Sequence, residues 1–91
     1  MTAINEIFVN KTAFESPEFS MPVGGSPHAD MWVGVTGPGP VYIDVLGKDG
    51  VWRTYPEFTI NGPSAQLLNV KRGRFKVRVA AATPTTVEVL A

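Results

Sequence analysis

The sequence predicts a single all-β domain, a small antiparallel β-sandwich of immunoglobulin-like or jelly-roll type. Apolar and polar residues alternate along several short stretches, as they do when successive side chains of a strand point to opposite faces of a sheet. Turn-forming residues recur at intervals of roughly 8 to 12 residues, which is typical of sandwiches and barrels. The 91 residues include nine glycines and eight prolines, which favour short strands and tight turns over long helices.

Residues 1–28 are predicted to form an extended N-terminal arm with edge strands, and residues 29–91 the sandwich domain. Residues 6–10 and 18–21 are short strand candidates, but three prolines interrupt this part of the chain. Because proline cannot donate a hydrogen bond to a ladder, such strands are confined to sheet edges or bulges. We expect the arm to lie along the outside of the sandwich or to reach across to a neighbouring subunit.

Residues 30–36 and 41–46 are strand candidates with different patterns. The first is almost uniformly apolar, which is typical of a strand covered on both faces or packed on a neighbouring subunit, and we expect Trp32 in the core. The second places three β-branched side chains on one face: Val41, Ile43 and Val45. Both stretches are therefore predicted to be strands of the sandwich.

The clearest alternation runs through residues 74–81. One face of this stretch carries apolar side chains, namely Phe75, Val77, Val79 and Ala81. The opposite face carries Arg74, Lys76 and Arg78. Residues 85–90 repeat the pattern with Val87 and Val89 inward and Glu88 outward, and they are predicted to form the closing strand.

Explicit turn sequences separate these strands. Residues 37–40 read Gly-Pro-Gly-Pro, which cannot continue a ladder, so the chain must reverse there. Residues 48–50 contain the Asp-Gly pair of a tight hairpin. Residues 61–64 and 71–73 mark two further turns.

The composition argues against several classes of function. A chain without cysteine has no thiolate zinc site and no thiol nucleophile, and a net charge of zero lacks the electrostatic footprint of a nucleic-acid or anionic-membrane binder. No apolar run approaches the ~18 residues of a membrane span. The single histidine, His28, is interpreted as a solvent-facing loop residue. We therefore expect no catalytic residue, no metal and no cofactor.

Two groups of side chains remain as candidate binding surfaces. The row of Arg74, Lys76 and Arg78 is interpreted as a polar outer strand face, or alternatively as a surface for an acidic protein partner. Trp52 and Tyr55, close to the Asp-Gly turn, are interpreted foremost as packing together in the core at a sheet edge, or alternatively as a platform on which a sugar ligand stacks.

Several short motifs follow one another along residues 18–91. They are Glu-Phe-Ser-Met-Pro at 18–22, an apolar strand ending at Thr36 and Gly37, Val-Tyr-Ile-Asp-Val at 41–45, Lys-Asp-Gly-Val-Trp at 48–52, Gly-Arg-Phe-Lys-Val-Arg-Val at 73–79 and Thr-Val-Glu-Val at 86–89. With these motifs the chain resembles the small β-sandwich structural proteins of tailed-bacteriophage virions, of the type that decorates capsids or associates with fibres. The resemblance implies a role through surfaces, without cofactor or catalysis.

The function implied by this resemblance is that of a non-enzymatic virion structural protein, foremost a capsid decoration or cement protein bound to the major capsid protein or another virion protein. A tail- or fibre-associated protein and a carbohydrate- or receptor-binding module are the alternatives. We expect a homo-oligomer, with a trimer favoured, no nucleic-acid or membrane partner, and a location on the capsid surface after a soluble stage in the host cytoplasm. The candidate interface residues are Ile7, Phe8, Val9, Phe14, Arg74, Lys76 and Arg78.

Overall fold

A computed structural model describes residues 4–21, 27–71, 73–80 and 82–91, and most of these described residues lie in antiparallel strands. The strands are β1 (Asn5–Lys11), β2 (Phe14–Glu15), β3 (Phe19–Ser20), β4 (His28–Thr36), β5 (Val41–Leu46), β6 (Trp52–Thr54), β7 (Ser64–Lys71), β8 (Arg74–Val79) and β9 (Thr85–Leu90). A single turn of 3-10 helix, Pro56–Phe58, lies between β6 and β7. The predicted all-β sandwich is therefore confirmed.

The strands form two sheets. Sheet A has the order β1-β9-β4-β7, and sheet B has the order β2-β8-β5-β6 with β3 also paired to β8. All of these pairings are antiparallel. Because β2 and β3 pair one after the other along β8, they act as one interrupted edge strand.

This strand order is that of a jelly roll. With β2 and β3 counted as one strand, the first strand pairs with the last, the second with the second last, the third with the third last, and the two central strands form a hairpin. Two further pairings, β9 with β4 and β8 with β5, join these four strand pairs into two sheets. Two four-stranded sheets connected in this way form a jelly roll. An immunoglobulin-like sandwich would instead pair its first two strands within one sheet, whereas β1 and β2 lie in different sheets.

The core lies between the inner faces of the two sheets and follows the alternation of the sequence. In β8 and β5 the predicted inward residues are all buried: Phe75, Val77, Val79, Val41, Ile43 and Val45. Val87 and Val89 of β9 are also fully buried, as predicted. The predicted continuation of the β8 inner face at Ala81 falls outside the described residues.

Trp32 does not lie in the core, contrary to expectation. Met31, Val33 and Val35 are the buried residues of β4, so strand alternation turns Trp32 to the outer face of sheet A, where it is half-buried. The apolar pattern of this strand arises because Trp32 and Gly34 are apolar residues on its outward positions. Both faces of β4 are apolar through the centre of the strand. The sequence of this strand therefore does not indicate which of its faces points into the core.

The segment predicted as an arm supplies edge strands to both sheets through its described residues. β1 pairs with β9 in sheet A, and β2 and β3 pair with β8 in sheet B. The ring of Phe8 lies 5.1 Å from Phe14 and 6.2 Å from Phe19, and Phe19 lies 5.5 Å from Phe75. These aromatic contacts join residues 4–21 to the core. Residues 1–3 and 22–26 lie outside the described part.

The crossing from sheet A to sheet B occurs at a bulge. The register of β1 against β9 shifts between Phe8 and Lys11, and Asn10 and Ala13 take positive φ angles of 51° and 44°. A bulge increases the local twist and bends its strand, which turns the chain from one sheet toward the other.

Within the described residues, no helix is long and apolar enough to cross a membrane.

Candidate functional site

The outer face of sheet B carries the predicted basic row, and each of its cations faces an acid from another strand or loop. Arg74 forms an ion pair with Glu18 at 3.6 Å, and Lys76 contacts Glu15. Arg78 donates from Nε to Asp44 Oδ2 at 2.9 Å. The row is therefore neutralised within its own chain, which fits the interpretation as a polar outer face.

Asp44 is the best-enclosed charge on this face, with 6% of the residue exposed. It accepts hydrogen bonds from Thr54 Oγ1 at 2.6 Å and from two nitrogens of Arg78. Burial raises the pKa of Asp44, but the hydrogen bonds from Arg78 and Thr54 and the charges of Arg78 and Lys76 outweigh it, so this pKa lies below its ordinary value. The same hydrogen bond raises the pKa of Arg78. The group is thus held in its ionised form.

The two residues predicted as a stacking platform, Trp52 and Tyr55, pack against different neighbours. Trp52 lies on the outer face of sheet B opposite Leu46, and the Lys76 ammonium sits 4.4 Å from its ring centroid. Tyr55 packs instead against Phe58, with ring centroids 5.0 Å apart, at the margin of the core. The preferred interpretation, in which Trp52 packs inward with Tyr55, is therefore wrong for Trp52. A cation already covers one face of its ring.

The β5–β6 hairpin beside these residues is fixed by Asp49. Its carboxylate accepts from the Val51 backbone N–H at 3.1 Å and pairs with Arg53 at 2.8 Å. The Arg53 hydrogen bond and the Val51 N–H lower the pKa of Asp49 to about 2. A cleft of ≈ 330 Å³ lies next to this hairpin and is lined by Val45, Leu46, Gly47, Arg53, Thr54 and Tyr55. Since Arg53 is held by Asp49, the cleft presents mostly aliphatic and aromatic surface.

The single histidine offers little support for a metal site. His28 is exposed at the first residue of β4, and the nearby Asp30 accepts a hydrogen bond from Asn69 Nδ2 at 2.9 Å. In the part of the chain that the structure describes, no three His, Cys, Asp or Glu side chains are grouped as metal ligands would be. Asp30 is thus engaged in the β4–β7 pairing.

The outer face of sheet A has a different character, because apolar residues form a continuous row across its strands. Leu90, Trp32 and Leu67 are directly opposite one another on β9, β4 and β7. Leu67 is 69% exposed and Leu90 36% exposed. We call Leu90, Trp32 and Leu67 the apolar row. Sequence reasoning missed it, because its members come from three strands and only the register brings them together.

Trp32, the central residue of the apolar row, extends its indole ring over Gly34. A Cβ placed on Gly34 would come within 2.6 Å of the indole ring, so glycine is required for this close approach. A groove of ≈ 240 Å³ follows along the same face, lined by Ile7, Trp32, Gly34, Val35, Thr36, Ser64, Ala65, Thr86 and Glu88. The six-membered ring of the indole therefore lies close to the Gly34 backbone, and polar side chains line part of the groove.

The four candidate interface residues of the N-terminal segment divide between two faces. Phe8 lies opposite the buried Val87 and packs on Phe14, which in turn packs against the core. Ile7 and Val9 are each 56% exposed, and Ile7 lies opposite Glu88 on the outer face of sheet A. The structure thus places Ile7 on the surface that carries the apolar row, whereas Phe8 and Phe14 are half-buried and lie away from it.

Comparison with known proteins adds no relative. No protein-family model, curated protein or solved structure matches this chain. The comparisons therefore supply neither a family nor a function for this chain.

Proposed function

We propose that this protein is a non-enzymatic virion structural protein, a capsid decoration or cement protein that docks on the major capsid protein or another virion protein through the outer face of sheet A. The observation that carries the proposal is the exposed apolar surface on that face. Among the described residues, four of the five exposed large hydrophobic residues belong to sheet A strands: Ile7, Val9, Leu67 and Leu90. Contiguous exposed apolar surface on a small domain is typical of a protein-binding site.

The two sheets support this assignment in opposite ways. On sheet B, Arg74, Lys76 and Arg78 already have acidic partners, so a charged partner would have to displace Glu18, Glu15 or Asp44. On sheet A, apolar side chains face solvent, and their removal from water on docking is favourable at roughly 25 cal/mol per Å². The outer face of sheet A is the better docking surface.

The virion part of the proposal rests on the sequence resemblance together with the fold. Jelly rolls form viral capsid and lectin domains as well as cupins, so the architecture is compatible with a capsid role without requiring it. A capsid decoration protein also needs no catalytic activity. A chain of zero net charge whose charged side chains on sheet B pair with one another is compatible with such a role.

The first experiment is the copy number of the protein in density-banded particles of its virus, measured by quantitative mass spectrometry against the major shell protein. A ratio commensurate with the shell lattice supports a decoration or cement role. A few copies per particle would favour the tail- or fibre-associated alternative, and absence from particles would overturn the virion assignment.

The docking face is tested by a pair of lysine substitutions at similarly exposed apolar residues. Ile7→Lys places a charge on the outer face of sheet A, whereas Val51→Lys places it at the β5–β6 hairpin, where the side chain is 48% exposed. We expect Ile7→Lys to reduce occupancy on particles at least about tenfold and Val51→Lys to leave it unchanged. Equal occupancy of the two variants would contradict docking through sheet A.

A sugar-binding module is the second candidate function, and one observation favours it at a position different from the predicted one. The indole of Trp32 lines a groove that Thr36, Thr86 and Glu88 also line, and an aromatic side chain next to polar groups suits a pyranose ring. Titration of indole fluorescence with a glycan set in a Trp52→Phe background tests this directly. An unchanged Trp32 spectrum across the set would eliminate it.

A further inference from the structure

We propose that β7 is a self-association edge, through which two copies of this chain pair antiparallel about a twofold axis and join their A sheets into one continuous eight-stranded sheet. This inference is independent of the proposed function. It starts from the outer edge of β7, with which no other strand pairs among the described residues. Backbone groups of successive residues in a strand point alternately to its two sides, so every second residue of β7 directs its N–H and C=O away from β4.

The other sheet edges carry features that discourage pairing. β1 is bulged between Phe8 and Lys11 and contains a charged residue at Glu6. β2 and β3 have two residues each with a proline between them, and β6 has three residues. Bulges, prolines, charges and short lengths are the devices by which proteins protect a strand edge.

Over residues 64–70, β7 lacks all of these devices, and its one charged residue, Lys71, is the last residue of the strand. It has eight residues, and it keeps an unbroken register of eight pairs with β4 from Ser64 to Lys71. Residues 64–70 contain neither proline nor a charged side chain. A long, regular, uncharged edge with an exposed leucine is a template for strand addition.

The occupant of this edge is argued from self-complementarity. In an antiparallel pair, opposite residues share a face, so the A-sheet faces of two copies can be continuous when Leu67 of one copy lies opposite Leu67 of the other. The apolar row then runs unbroken through both copies, from Leu90 and Trp32 across the two Leu67 residues to the second Trp32 and Leu90. In this register Ser64 lies opposite Val70 and Ala65 opposite Asn69 of the second copy, so only uncharged residues face each other across residues 64–70.

The exposed Leu67 allows a test that leaves the monomer intact. Leu67→Lys places two ammonium groups opposite each other at the twofold axis, and because the side chain is 69% exposed the substitution should barely alter folding. The matched control is Ile7→Lys, which adds the same charge to the same face at the far edge strand β1. Thermal unfolding by circular dichroism confirms that both variants fold.

Sedimentation equilibrium of the full chain over a dilution series is the measurement. We expect the wild type and Ile7→Lys to approach twice the chain mass of 9.8 kDa, and Leu67→Lys to raise the dissociation constant at least about tenfold. Hydrogen exchange should show alternate amides of β7 protected in the wild-type dimer and unprotected in Leu67→Lys. A monomeric wild type, a trimer, or equal loss of association in both variants would overturn the inference, the last because it indicates face-to-face packing.

Failure of this inference is distinguishable from failure of the proposed function. Ile7→Lys should remain dimeric while losing particle occupancy, whereas Leu67→Lys should lose the dimer. Dimerisation in solution without any particle binding would leave the β7 edge established and overturn only the docking role.

Discussion

Asp44 is the residue that organises the charged face of sheet B, because three strands meet at its carboxylate. It lies on β5, opposite Lys76 of β8 and Thr54 of β6, and it accepts from Arg78 as well. Its acceptor oxygens match the donors around it, and no described buried side-chain polar atom lacks a partner. The alternation of 41–46 predicted the outward position of Asp44 but not its enclosure, since its partners come from residues 54 and 78.

Replacing Asp44 by alanine should destabilise the fold by about 2 kcal/mol, since it removes the hydrogen bonds that this enclosed carboxylate accepts from Arg78 and Thr54. The effect falls below the ~3 to 5 kcal/mol of a fully buried pair because the Arg78 side chain remains 38% exposed. Urea denaturation measures it. Glu18→Ala is the control, because it breaks the exposed Arg74 pair and should change stability little.

The same residue gives the stability a defined pH dependence. The lowered pKa of Asp44 means that its stabilising contribution is complete above the unfolded-state value of about 4 and is lost as the pH falls through the folded-state pKa. Asp49, with a pKa of about 2, acts in the same direction. The unfolding free energy should therefore fall below about pH 4, and Asp44→Asn should flatten that fall. An identical pH profile in the variant would contradict the role assigned to Asp44.

At the scale of the element, the strands whose two faces differ in polarity were predictable and the others were not. β8, β5 and β9 alternate because one face is buried and the other solvated, and their inward residues are confirmed. β4 has apolar residues on both faces, so its sequence could not tell whether Trp32 or Val33 points inward. The apolar row was invisible for the same reason, because it depends on register between strands distant in sequence.

The β5–β6 hairpin is the element whose turn chemistry was read correctly. Gly50 adopts a φ of 78°, and a Cβ added there would meet no heavy atom within 4 Å. Gly50→Ala should therefore cost about 1 kcal/mol from backbone conformation alone. Gly50→Asn should cost less, since asparagine tolerates the left-handed region.

Chemical denaturation of the two variants side by side checks this expectation. Because the site is sterically open, any difference between alanine and asparagine reports backbone preference alone. Equal stabilities of Gly50→Ala and Gly50→Asn would mean that the turn relaxes to a different conformation when glycine is removed.

At the scale of the whole molecule, the jelly roll is closed by its first and last strands. Ile4 and Ala91 exchange backbone hydrogen bonds of 2.9 Å in both directions, and β1 covers the edge of β9 that would otherwise be open. Alternation and turn spacing predicted the strands and the sandwich, but pairing between residues more than 80 positions apart leaves no local signal. Strand order, and with it the choice between jelly roll and immunoglobulin-like fold, therefore needed the structure.

This closure makes a prediction about the first strand that separates a structural segment from a detachable arm. Phe8 and Ile7 are neighbours in β1 on opposite faces: Phe8 packs on Phe14 and Phe19, and Ile7 is 56% exposed. Phe8→Ala should destabilise the fold by about 2 to 3 kcal/mol, less than a fully buried Phe because Phe8 is half-buried, while Ile7→Ala should stay within about 0.5 kcal/mol of wild type. Thermal and urea unfolding of both variants measure the difference.

If β1 instead detached as an arm, both substitutions would leave global stability unchanged, and only the hydrogen exchange of β9 amides would respond. A large effect confined to Phe8 would mean that residues 4–21 stabilise their own sandwich, and that contacts with a partner must come from the outward side of β1.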